Sequence, residues 1–227
     1  MFLHTHVTST IKKPPEEQRV PQGRARARDH ALAFLAVCGA VGPVCFCAAM
    51  IVAGLLYPGY NQLTQASSEL GSRGAPPAAA AVMNYGGVLV YSLCMIAFAC
   101  GLFRGIRRSR WLLIGAILFS LFGLACLSGS FFSMDPGGLP WLNVMHGVVY
   151  VIANIALTLA LLILTVAFAR DPSFRPYRWY TLITPFAMGL LYPVAGFLPA
   201  GVPERFSDLV IFAWIEVVAF RLLRLAR

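Results

Sequence analysis

Three residues of this chain are of the types that build a hydrolytic centre: Ser68 as nucleophile, His146 as base and Asp135 as the carboxylate that orients it. Asp135 and His146 share the stretch "FFSMDPGGLPWLNVMHGVVYVIAN" (131–154), a polar interruption in an otherwise apolar run. The same histidine and aspartate, with Glu204, could ligate a metal. Against that stands the supply of imidazole. His146 is the one histidine outside the first thirty residues, so a multi-histidine zinc site cannot be assembled. Ser68 also lacks the strand–turn–helix setting of a nucleophile elbow. No resident metal and no cofactor is expected.

A second chemistry is ligand recognition. Downstream of Asp135, the residues Asn143, His146, Tyr150, Asn154 and Thr158 follow one another at steps of three or four. That spacing lays them along one side of a helix. In a membrane helix such a stripe belongs toward the bundle interior. Further polar groups fall in two other segments: Ser68, Glu69 and Asn84 in one, Glu204, Arg205 and Asp208 in the other. Carboxylates of Glu69, Asp135 and Glu204 beside Arg205 suit a zwitterionic or hydroxylated headgroup, with Arg205 gripping phosphate or carboxylate. Glu216 lies deeper in an apolar segment, where an unpaired ionised acid costs about 2.5–3.5 kcal/mol. It is read either as a ligand group facing the stripe or as a buried acid fixing helix register. A third reading gives all these groups structural work, with acids capping helix ends at the positive end of the dipole.

The elements that must position these groups are membrane spans. The chain has 227 residues, 59% of them hydrophobic and only 12% charged. A soluble domain carries about 25% charged residues, so the chain reads as a polytopic membrane protein. Six apolar segments follow a polar, basic, proline-bearing tail over 1–30, which is expected to be a disordered cytoplasmic extension. The spans are placed at Leu32–Tyr57, Val82–Phe103, Trp111–Ser133, Leu142–Ala169, Trp179–Leu198 and Ser207–Leu223. Each approaches the roughly 20 residues that cross a hydrocarbon core. Sixteen of the eighteen Lys and Arg residues then fall on one side, leaving Arg73 and Arg205 on the other. By the positive-inside rule both termini are cytoplasmic, and the net charge of +9 needs no nucleic-acid partner. All six cysteines lie inside apolar segments, which argues against a disulfide framework. Pro43, Pro185 and Pro193 interrupt spans one and five as kinks. The long first external loop predicts a short amphipathic interfacial helix over 61–70, capped by Gly71.

The segments "PGYNQLTQASSELGSRGAP", "FSMDP" with the histidine of "MHG", and "GVPERFSDLVIFAW" resemble a prokaryotic six-helix membrane family known as domain of unknown function 998. The resemblance runs from the first span to the C-terminus. It implies a six-helix integral membrane protein without an assigned activity, and it puts weight on Ser68, Glu69, Gly71, Asp135, His146, Glu204 and Arg205. A more distant likeness in layout to the Frag1/DRAM/Sfk1 six-helix family carries no function over. Together these readings predict an all-α bundle of six transmembrane helices in a bacterial inner (plasma) membrane. Its expected partners are membrane lipids and a small polar or lipid-headgroup ligand, bound, and as an extension of binding moved, in an extracytoplasmic pocket. The alternatives are a Ser68/Asp135/His146 hydrolase and a purely structural or assembly protein.

Overall fold

A computed structural model describes residues 22–227, with side chains from His30 onward. The basic tail expected over 1–30 therefore falls largely outside the described residues, and the first helix already begins at Gln22. Six helices carry the fold among the described residues: α1 (Gln22–Leu55), α2 (Pro77–Gly105), α3 (Arg110–Gly129), α4 (Pro140–Ala169), α5 (Arg178–Gly189) and α6 (Gly201–Ala226). No strand occurs among these residues. Each helix packs on the next in sequence, and α6 closes the ring against α1.

Five of these segments are long and apolar enough to cross a membrane, the fifth being α5 together with the turns that flank it (Arg175–Phe197). The sixth, α6, carries Glu204, Arg205, Asp208, Glu216, Arg221 and Arg224 and so is less apolar than its neighbours. It nonetheless runs the height of the bundle: 26 residues reach about 39 Å at 1.5 Å per residue. One end of α6 meets the first loop through Gly201 N–H and the Leu63 carbonyl (2.9 Å). Near the other end, Leu222 lies against Gly105 of α2.

Apolar helices in lipid gain little from hydrophobic attraction to one another, so close packing and small residues bring them together. Gly123 of α3 sits where an added Cβ would lie 3.2 Å from the Ser92 carbonyl of α2. Within the ring runs a column of aromatic rings, Phe98–Phe119–Trp214–Phe168–Phe174, with centroids 5.0–6.4 Å apart. The fully buried Trp214 donates its indole N–H to Thr181 Oγ1 at 3.0 Å, joining α6 to α5.

The basic segments share one end. There Asp171, in the turn after α4, accepts the Arg107 backbone N–H (2.7 Å), and Arg221 Nε donates to the Ser173 carbonyl (3.0 Å). The opposite end is closed by the long first loop, which forms a cap. Its helix is narrower than the sequence predicts: a 3-10 turn over Ser67–Gly71 with Leu70 fully buried, not an interfacial helix over 61–70. The reason is polar clamping, described below, which pulls the segment into the bundle mouth. Span five also departs from a plain helix. Pro185 is accommodated within α5, but the helix stops at Gly189 and Pro193 lies in a 3-10 turn over Tyr192–Phe197. α2 contains a π-helical stretch over Val82–Leu89, beside the cap.

Candidate functional site

Beneath the cap lies a cavity of about 200 Å³. Its floor is aromatic: Phe46 from α1, Tyr91 from α2, Phe122 from α3 and Phe212 from α6, each from a different helix. These rings touch one another with centroids 5.4–6.2 Å apart. Its upper wall is polar, formed by Ser67, Ser68, Asn84, His146, Tyr150, Asn154, Glu204, Ser207 and Asp208. The π-helical stretch of α2 supplies Met83, Asn84 and Val88 to the lining; such wide turns recur at functional sites.

Of the residues predicted from sequence, the structure thus brings Ser68, Asn84, His146, Tyr150, Asn154, Glu204 and Asp208 to one cavity. Five others are absent from its lining, each for a visible reason. Arg205 donates to Gln62 Oε1 (2.9 and 3.1 Å), to Tyr60 Oη (2.5 Å) and to the Gly201 carbonyl (3.2 Å). Its guanidinium is occupied in holding the cap. Glu69 turns back on its own loop, accepting from Gln65 Nε2 (2.7 Å) and the Ala66 N–H (3.1 Å). Asp135 accepts the Leu139 N–H (2.9 Å), and Asn143 bonds the Asp135 backbone at both its N–H (2.8 Å) and its carbonyl (3.1 Å). Asp135 and Asn143 therefore form the turn that starts α4. Glu216 lies eight residues beyond Asp208, about 12 Å deeper along the helix axis, and it has no hydrogen-bond partner among the described residues.

The stripe on α4 divides. Four residues turn a helix through about 400°, so each such step overshoots by about 40°. His146, Tyr150 and Asn154 stay on the cavity side while Thr158 drifts round to an exposed position. The hydrolytic triad is likewise not assembled. His146 Nδ1 donates to the Phe132 carbonyl (2.9 Å), since a carbonyl can only accept, and no hydrogen bond joins His146 to Asp135 or to Ser68. The Ser68 hydroxyl points at Met134 Sδ (3.2 Å). No grouping of three or more metal-ligating side chains occurs among the described residues.

The clamp of the cap is the feature that the sequence did not announce. Both Glu204 carboxylate oxygens receive Ser67, one from its hydroxyl and one from its N–H (3.2 Å). Glu204 also lies 3.8 Å from Arg205. Tyr60 donates its hydroxyl to the Ala66 carbonyl (3.0 Å) while accepting from Arg205. Burial pushes the Tyr60 phenol above its ordinary value and the adjacent Arg205 pulls it back, so it remains a neutral donor across physiological pH. Asn84 Nδ2 completes the clamp on the Gly71 carbonyl (2.9 Å). The acid at the start of α6 and the serines of the loop were visible in the sequence; that they meet was not, because they are 137 residues apart. The aromatic floor was missed for a different reason. Phe and Tyr in membrane helices look the same whether they fill a core or face a cavity.

A family model described as a protein of unknown function (DUF998) matches residues 40–221. No curated protein and no solved structure matches the chain. None of these comparisons extends to the Frag1/DRAM/Sfk1 layout.

Proposed function

The chain belongs to the DUF998 family, which has no assigned activity, and we propose from the geometry that it is a multi-pass membrane protein that binds the polar end of a small amphipathic or lipid-like ligand beneath the cap. The observation that carries this reading is a cavity with an aromatic floor and a polar wall at the end of the bundle opposite the basic loops. That arrangement is the usual character of a ligand site: mostly apolar lining with a few polar groups to fix orientation. The positive-inside rule then puts both termini in the cytoplasm and the cavity on the outer side of the cell membrane.

Size supports a head group rather than a whole lipid. An engineered cavity of about 150 Å³ accommodates benzene, so 200 Å³ holds a head of similar scale and leaves the hydrocarbon outside. Tyr150 lines the cavity and is also 48% exposed, so the route we propose for the hydrocarbon passes this residue. The Tyr150 hydroxyl meets that of Tyr192 there (3.0 Å). α5 stops at Gly189, and the 3-10 turn over Tyr192–Phe197 that follows brings Tyr192 to this point.

Native mass spectrometry from mild detergent tests the reading. The wild-type protein is expected to carry a co-purifying small molecule or lipid. Narrowing the cavity with Ala153→Leu, a buried lining residue, should displace it. Asp135→Asn, outside the cavity lining, should retain it. Retention by Ala153→Leu with an unchanged melting temperature would refute binding in this cavity.

A further inference from the structure

The unoccupied hydrogen-bonding capacity of the cavity is almost all of one kind. Asn84 and Asn154 commit their amide N–H groups to the Gly71 carbonyl (2.9 Å) and the Tyr150 carbonyl (2.9 Å), leaving each side-chain oxygen without a partner among the described residues. His146 donates Nδ1–H to Phe132, which fixes Nε2 as an acceptor in the neutral ring. The Asp208 carboxylate lines the cavity and receives no hydrogen bond from any described residue. Four acceptors therefore stand without donors. The hydroxyls of Tyr91 and Ser207, which serve either way, and the weakly donating thiol of Cys126 are the polar groups that remain beside them.

Charge points in the same direction. Two carboxylates, Asp208 and Glu204, line the cavity, and no Lys or Arg does. The nearest cation, Arg205, has its guanidinium held by Tyr60 and Gln62 on the cap. Below the acids lies the four-ring floor of Phe46, Tyr91, Phe122 and Phe212. Aromatic faces attract a cation and do nothing for an anion. An anionic head would meet carboxylates, lone pairs and π-faces together.

We propose that the head group this cavity accepts is a protonated amine, its N–H donors met by Asp208, His146 Nε2 and the asparagine oxygens above the aromatic floor. The proposal rests on the cavity being a ligand site and adds the chemical class. It reverses the assignment drawn from the sequence, in which Arg205 grips a phosphate or carboxylate.

The test uses full-length protein in neutral maltoside detergent and four probes with the same twelve-carbon tail: dodecylamine, dodecyltrimethylammonium, dodecanol and dodecyl phosphate. Binding is read by native mass spectrometry and by thermal shift. Dodecylamine is expected to bind about tenfold or more tighter than dodecyl phosphate, which is the scale of one charge-assisted hydrogen bond. The trimethylammonium probe, which has charge but no N–H, should fall between. Asp208→Asn should lower amine binding about tenfold without lowering phosphate binding, and Asp208→Glu should restore the preference, which separates lost charge from lost fold. Equal or tighter binding of the phosphate, or an amine affinity indifferent to Asp208→Asn, overturns the charge assignment. If Ala153→Leu still weakens all probes in that case, the cavity remains a ligand site of other chemistry. If no probe responds to Ala153→Leu, both the assignment and the site fall.

Discussion

Arg205 separates the two roles that an arginine at the capped end of the bundle can have, because its replacement predicts opposite results for each. In the structure its side chain is 13% exposed and donates four hydrogen bonds, three of them to Tyr60 and Gln62 of the cap and one to Gly201. Hydrogen bonds to charged groups contribute about 1.5–3 kcal/mol each, but four bonds from one guanidinium do not add, and partial exposure lowers each. A net loss of about 3 kcal/mol on Arg205→Ala is the reasoned figure, confined to the cap. Opening of that loop should then rise by about two orders of magnitude, since 1.4 kcal/mol is a tenfold change. Hydrogen exchange of amides over 60–71 measures this directly, with α3 and α4 as internal controls that should not change. Arg205→Lys keeps the charge but not the planar fork that reaches Gln62 and Tyr60 together, so it should recover less than half of the protection. A double-mutant cycle with Gln62→Ala should give a coupling of about 1–2 kcal/mol, as expected for directly bonded partners. Exchange rates changed by less than about threefold in Arg205→Ala, equivalent to roughly 0.6 kcal/mol, together with loss of ligand, would refute the clamp and return Arg205 to the role of a ligand group.

Three further outcomes follow from the same contacts. Asp171 is buried and accepts the N–H groups of Arg107 and Ser173, each at 2.7 Å, so Asp171→Ala should destabilise the basic end by about 2–4 kcal/mol in a denaturant or thermal assay. Gly71 has no room for a side chain, since a Cβ there would lie 2.5 Å from Asn84 Oδ1; Gly71→Ala should cost about 1–3 kcal/mol, and Asn84→Ser in the same chain should recover part of it in the melting temperature. Tyr60 has a folded-state pKa raised above its ordinary 10.0, so the folded cap holds a proton that the open loop releases as pH climbs past that value. Cap protection should be flat through neutral pH and decline above about pH 10, and Tyr60→Phe should abolish that decline when exchange is followed against pH.

The spans were legible because length and hydropathy are properties of single segments, and the charge asymmetry that orders them is a sum over loops. Even α6, with its six charges, was readable as a helix because the basic residues at its far end complete the asymmetry. Polar valence was not legible. Glu69, Asp135, Asn143 and Arg205 have the right residue types for a ligand site, yet their partners are a neighbouring turn or a distant loop, and only three-dimensional contact shows that they are already satisfied. Asp171 went unread because it sits beside Arg170 and Arg175, where an acid looks like solvated surface; its burial and two backbone donors make it the tie between two turns. The 3.6-residue turn sets His146 and Thr158 about 120° apart on α4, but which of the two faces the cavity is decided by packing against the neighbouring helices, which the sequence does not display.

Glu204, Arg205 and Asp208 occupy scarcely more than one turn of a single rigid rod. Glu204 and Arg205 fasten the lid while Glu204 and Asp208 face the chamber beneath it, so latch and chamber wall are carried on one element. Under the proposed binding, occupancy below and closure above are bound by reciprocity: whatever a guest contributes to keeping the lid shut, a shut lid contributes equally to keeping the guest.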